Sequence, residues 1–258
     1  TTRTDGAVWA EGAAIGVTTA AGISKISYVM TDDRNVKYVY NTEKATFQVA
    51  SKEGEDHNIY FKGPYTMNMT AYAPYTGERG ILAGVIQAST TSGKQVGAAR
   101  ASIDFLYAEG GGSQTNPRVD FQFFHKMSQL VLSFKAGGGL ELGDISYTLK
   151  NIILDGSFDT SAGSVALGKT VGNIEMALVK SNEMNSSVIV FPQRLTSNLL
   201  LELAMGGKTY AEPIGNSIDL ASGSTYVFDV TIAPQAMTIS PAKIEDWIWG
   251  ENSDHYVI

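Results

Sequence analysis

The side chains able to do chemistry are few in this 258-residue chain. It has three histidines and no cysteine. His57 lies in a charged run, His125 between Phe124 and Lys126, and His255 beside the terminus. No two have the spacing of a metal site, and no HExxH occurs. His125 reads either as a packed histidine or as a ligand or base, and packing is the simpler reading. No serine stands in a G-x-S-x-G elbow. The carboxylates Asp32-Asp33 and Glu53, Glu55 and Asp56 fall in expected turns, where solvated charge is more common than a glycosidase pair facing across a cleft. Asp155 and Asp159 flank Gly156, but their spacing fails the EF-hand pattern and reads as an Asx-rich turn. The glycine runs 110–112 and 137–139 lack the strand, helix and Lys of a phosphate loop. The expectation is a protein that is not an enzyme, with no cofactor and no metal.

Composition narrows the remaining classes. The formal net charge is −7 with no basic cluster, so a nucleic-acid partner is not expected. Charged residues make up 17%, a low share that points to a Ser/Thr/Asn-rich surface. No apolar stretch approaches the roughly 20 residues that span a bilayer. With no signal peptide visible, the chain reads as cytosolic or as already processed. Lack of cysteine permits export without disulfide chemistry.

The elements that must carry these residues read as strands. Ala13–Thr19 is the first good candidate, and Arg34–Tyr40 alternates apolar and polar residues as a half-buried strand does. Ala45–Ala50, Ile59–Phe61 and Thr66–Tyr75 follow, the last stopped by Pro74, which cannot donate to a ladder. Leu82–Ser89 and Ile103–Tyr107 complete a first half with turns about 8–12 residues apart, the rhythm of a sandwich. A Gly-rich stretch, Glu109–Pro117, reads as a junction. Beyond it the aromatic run Val119–Phe134 reads as one strand leading into a second. Ile145–Leu154 is followed by an expected loop over Asp155–Gly163. Ser187–Phe191, Leu199–Ala204, Thr225–Ile232, Met237–Ile239 and Ile244–Trp249 follow as strands. The fold class is all-β, with two β-sandwich domains in tandem, 1–117 and 118–258.

Two features are left over. Trp247 and Trp249 are two apart and on a strand share a face. Either that face packs in its own domain, or the terminal segment through Tyr256 and Ile258 inserts into a neighbouring molecule. Arg3, in a polar leader, is a candidate processing site.

Several segments, in order along nearly the whole chain, resemble the fimbrillins of the Bacteroidia, the subunits of type V pili. They are Trp9-Ala10-Glu11-Gly12-Ala13-Ala14-Ile15-Gly16-Val17, Phe61–Pro64, Ala71-Tyr72-Ala73-Pro74-Tyr75 and Asp104–Ala108. Phe124–Leu130, Gly223–Phe228 and Ile244–Trp247 continue the match. The resemblance implies that both sandwiches are transthyretin-like and that the precursor is lipid-anchored and exported to the outer membrane. It also implies a fimbrium at the cell surface that supports adhesion. In such pilins an N-terminal strand is removed by an Arg-directed protease, and a strand from the next subunit fills the groove. The chain departs from the precursor pattern in lacking the lipid-carrying cysteine and the strand expected upstream of Arg3. Candidate donor residues are Met237, Ile239, Trp247, Trp249, Tyr256 and Ile258. The expected partners are other pilin subunits, with a host or bacterial surface receptor as a further candidate and a membrane only through the precursor's anchor. The alternative is a monomeric surface module that binds carbohydrate or protein through exposed aromatics. Stalk, anchor and tip roles are not separated by sequence.

Overall fold

The computed structural model describes residues 9–19, 33–51, 53–61, 64–182, 184–196, 198–214 and 217–247, together with the backbone of 256–257. In the first half, β1 (Ala14–Thr19), β2 (Val36–Asn41), β3 (Thr46–Val49) and β4 (Met67–Ala73) precede β5 (Val85–Ser89). A 3-10 turn (Ser92–Lys94) and α1 (Gly97–Ala101) then lead to β6 (Leu106–Gly112), β7 (Asp120–Phe121) and β8 (Phe124–His125). A six-stranded antiparallel sheet runs in the order β3-β2-β1-β4-β6-β8. Strict alternation sends Val36, Tyr38 and Tyr40 of β2 inward and leaves Lys37 outside. Trp9 closes this core, edge-on to Phe47 at 4.9 Å and to Phe123 at 5.3 Å.

The second half holds β9 (Ser128–Ala136), β10 (Ile145–Ile153), β11 (Asp155–Asp159), β12 (Ser164–Leu167), β13 (Val171–Leu178) and β14 (Asn185–Val190). It continues with β15 (Leu200–Met205), β16 (Lys208–Pro213), β17 (Ser224–Ile232), β18 (Met237–Ile239), β19 (Lys243–Asp246) and β20 (Tyr256–Val257). One sheet orders β13-β10-β15-β16; the other orders β14-β9-β17-β18, with β19 also beside β17. β9 and β17 are parallel, Leu130 opposite Tyr226. Leu130, Leu132 and Phe134 from one sheet share a core with Tyr147, Leu149 and Leu201 from the other.

A third cluster joins the halves. Tyr72, Phe105 and Tyr107 of the first meet Met127, Phe158 and Phe191 of the second, with Phe105 and Phe158 stacked at 4.7 Å. β5 crosses the same seam to pair with β11, and β12 completes a three-stranded sheet.

The central aromatic run explains how one chain serves both cores. Val119, Phe121, Phe123, His125 and Met127 are buried, all at odd positions; Ser128, Leu130, Leu132 and Phe134 are buried at even ones. A one-residue change of phase swaps the faces of a strand, and here it falls between Met127 and Ser128, where the chain leaves the seam for the second core. The run is therefore three strands, β7, β8 and β9, where the sequence reads as two.

Other expectations shift as well. The Gly-rich stretch is not a spacer over its first four residues, because Glu109–Gly112 belongs to β6, paired with Met67–Thr70. A Cβ on Gly110 would stand 2.9 Å from both Val119 and Phe121, so glycine there admits β7 against the sheet. Asp155–Asp159 is strand β11, not loop, although Asp159 does accept the N–H groups of Ser161 and Ala162 as an Asx turn would. Within Ile59–Phe61 only Phe61 makes a bridge. β13, β16 and the helical segment before β6 were without a strand or helix signal in the pattern.

Candidate assembly site

The tail and the place where it docks make the candidate site. Val119, just before β7, and Phe121 within it are buried at the face of the first core, over Gly110 and Gly112 of β6. Burying a Phe side chain contributes about 2–3 kcal/mol, which fixes this short strand despite its length. β20 lies antiparallel to it, Tyr256 opposite Phe121 and Val257 opposite Asp120. The end of the chain thus adds a strand to the first half, not to the second half that precedes it.

The root of the tail is held at the seam. The Trp247 ring stacks on His125 with centroids 4.0 Å apart and planes 6° from parallel. The Trp247 N–H donates to Gly223 O at 2.8 Å, and Gly223 N–H donates to Met127 O at 2.8 Å. His125 Nδ1 lies 2.7 Å from Asp104 Oδ1, and both side chains are buried. His125 is thus packed between an aromatic ring and a carboxylate, which gives it a structural partner on each side.

The donor candidates fall in different places. Met237 is 2% exposed in the second core, and Ile239 packs half-buried against the same core. Trp247 sits in the seam. The Tyr256 backbone pairs with β7. Trp249, Ile258 and the candidate processing residue Arg3 lie outside the described residues. His57, half-buried, contacts Glu55 at 2.8 Å in the irregular stretch after β3. Among the described residues, no group of three or more His, Cys, Asp or Glu is placed to hold a metal ion.

A surface pocket of about 550 Å³ opens at one end of the second core, lined by Asn151, Val171, Gln193, Arg194, Thr196 and Asn198 among others, with no aromatic among its described lining. Sequence reasoning missed the residues that hold the edge strand β14, Gln95 and Arg100. Their one signal is a lone Arg within the small-residue run Gly97-Ala98-Ala99-Arg100-Ala101.

Burial also sets the titration of three phenols. Desolvation pushes Tyr38, Tyr72 and Tyr147 up to about 12. Tyr72 hydrogen-bonds Asn35 at 2.8 Å, and Tyr147 hydrogen-bonds Ser186 at 2.7 Å. At the surface, hydrogen bonds from Lys135 and then Lys243 hold the Asp229 carboxyl below the usual range.

Similar proteins come from species of Bacteroides. The model of the fimbrillin-like family matches residues 2–247. A candidate cell adhesion protein of Bacteroides ovatus has a solved structure that superposes with a TM-score of 0.86 at 34% identity, covering 94% of this chain and 90% of that one. A second candidate adhesion protein, from Bacteroides uniformis, superposes with a TM-score of 0.72 at 22% identity over 93% of each chain. A candidate fimbrium subunit of Bacteroides uniformis, Fim1C, is 24% identical over 263 residues, which is 96% of this chain and 82% of that protein. The chain therefore belongs to the fimbrillin-like family, whose members are structural proteins and not enzymes.

Proposed function

We propose that this chain is a structural subunit of a bacterial cell-surface fimbrium, that it assembles by β-strand exchange, and that it supports adhesion. Its halves are read as tandem transthyretin-like sandwiches at 1–117 and 118–258, with the short strands β7 and β8 folded back onto the first core. The observation that carries the reading is the pairing of β20 with β7. A terminal strand already added to the first half in cis is an arrangement that a second copy can reproduce in trans, with the same ladder and the same apolar floor. A head-to-tail contact of that kind does not close on itself and so builds a filament. Trp247, stacked at the seam, marks the root from which the segment 248–258 would cross. That segment holds the candidates Trp249, Tyr256 and Ile258, whereas Met237, Ile239 and Trp247 would serve as its anchor. Adhesion is supported by the names of the similar proteins from Bacteroides ovatus and Bacteroides uniformis. Attachment to the outer membrane through a lipid on a precursor processed near Arg3 belongs to the same reading.

Size-exclusion chromatography with electron microscopy tests the proposal on the full chain and on a chain ending at Gly250. Ladders or fibres given by the first and lost in the second are the expected result. A monomer from both, at every concentration and after long incubation, would overturn strand exchange.

A further inference from the structure

The segment from Thr90 to Ile103 belongs to no sheet, yet it is fixed to the second core by buried polar side chains. Thr90 donates its N–H and its hydroxyl to Leu154 O at 2.8 and 3.1 Å. Gln95, 2% exposed, donates from Nε2 to Thr90 O at 2.8 Å and to Ile189 O at 2.9 Å. Its Oε1 accepts the Ile189 N–H at 2.8 Å. Arg100 is 6% exposed and donates to Ser187 O at 2.7 Å, to Ser187 Oγ at 2.9 Å and to Gln95 O at 3.3 Å. On the facing sheet, Ser92 Oγ accepts the Glu175 N–H at 2.8 Å.

The positions of these bonds give them a meaning beyond packing. β14 is the edge of its sheet and pairs with β9 on one side. In an antiparallel edge strand, alternate residues turn their N–H and C=O away from the neighbour. The bond from Phe134 N–H to Met184 O sets the phase, so Ser187 and Ile189 are among those that face outward. Those outward groups are what an added strand would bond, and Gln95 and Arg100 hold them. The Gln95 amide offers one donor and one acceptor to Ile189, which is what a peptide unit of a neighbouring strand would offer. β14 itself, Asn-Ser-Ser-Val-Ile-Val, carries no charged residue, no proline and no bulge against β9. It lacks every device by which a sequence blunts an edge from within.

We infer that the Thr90–Ile103 segment is an edge guard: it keeps the outward face of β14 from pairing with a second copy of this chain. The guard works by imitation, filling the ladder of β14 with side-chain groups while keeping its own backbone helical or turned and so unable to pass the ladder on. The partner it excludes is the same edge of another molecule, where the uncharged β14 would meet itself. The flank lies apart from β7 and β20, so its behaviour does not depend on whether the tail is exchanged.

The test uses the full chain with Gln95→Glu, and with Gln95→Glu combined with Arg100→Met. Amide hydrogen exchange and light scattering after size exclusion are followed across a concentration series. At low concentration the Ile189 amide should exchange about tenfold faster, or more, in the double variant than in the wild type. As concentration rises, the double variant should associate and Ile189 should regain protection, while the wild type shows no association through this flank. An unchanged Ile189 rate would overturn the inference. So would faster exchange in a chain that stays monomeric, or association that protects Asp120 and Phe121 but not Ile189. If circular dichroism shows that the double variant is unfolded, Gln95→Glu alone decides. It keeps the side-chain shape and the acceptor for Ile189, loses both donors, and must give the same association in weaker form.

Discussion

The first and second cores are each completed by a piece of chain from the other half, but by opposite means. At the first core, Tyr256 and Val257 from the end of the chain form a backbone ladder on Asp120 and Phe121. At the second, Gln95 and Arg100 from the first half reach Ser187 and Ile189 with side chains. A backbone ladder reads no sequence, so any extended segment of the right apolar pattern can replace β20. A guanidinium and a carboxamide in fixed geometry cannot be replaced in that way. Under the proposed assembly, the first closure is the one open to exchange and the second is the one that stays.

The largest effect should come from breaking the fixed closure. Arg100→Met removes a buried charge-assisted bond to Ser187 O and leaves buried acceptors without their donor, a loss of about 2–3 kcal/mol. Urea denaturation should show a lowered midpoint for this variant, and a midpoint within error of the wild type would mean that the segment is only laid on the surface. The next effect tests the floor of the exchangeable closure. Gly110→Val pushes a side chain into Val119 and Phe121, overpacking the first core at a cost of about 2 kcal/mol. It should also raise hydrogen exchange at Phe121 while leaving Ile189 unchanged.

A smaller effect separates the cores by pH. Burial raises the Tyr147 phenol to about 12 from an ordinary 10.0. The stability linked to this shift is fully present below pH about 10, where the phenol is protonated in both states. It is lost as pH rises from there through the folded value, because the unfolded chain ionises first. Tyr147→Phe removes the bond to Ser186 of β14, costs about 1 kcal/mol at neutral pH, and should flatten the alkaline limb of a stability–pH curve. Tyr38→Phe, in the first core, should flatten it by a comparable amount but leave exchange at Ile189 unaltered.

These contrasts follow how far the sequence itself reached. Alternation in β2 and β4 is plain because one face of each strand meets a core, and β4 ends at Ala73, directly before Pro74. β13 was hidden because Val171 and Ala177 are outward and exposed while inward Gly172 adds no apolar signal, so no clean period shows. The Gly110–Gly112 run misled because glycine in a loop and glycine beneath Phe121 look alike until the packing is known. Among the tail residues, the sequence singled out Trp247 and Tyr256 by size and position. It offered no way to learn that one would stack on His125 and the other pair with β7, since both partners lie far away in the sequence. Gln95 and Arg100 were missed for a related reason: a polar residue that imitates a strand carries no strand pattern.

The smallest effect on stability should come from the closure most exposed to exchange. Deleting residues 256–258 removes a two-residue ladder, worth under about 1 kcal/mol when net hydrogen-bond gains are counted. Thermal denaturation should therefore move by only a few degrees, far less than for Arg100→Met. Hydrogen exchange should quicken at Asp120 and Phe121 and nowhere on β14. The same deletion sharpens the contrast in a second way, because the vacated edge of β7 becomes available in trans. A synthetic peptide of residues 248–258 added to the shortened chain should restore slow exchange at Phe121, with saturation as the peptide is raised. A peptide with Val257→Pro, which cannot donate from that position, should restore less. If the peptide leaves Phe121 unprotected at millimolar concentration, β20 owes its place to the short tether through Trp247 and not to the edge it occupies. The two closures would then differ in strength but not in kind.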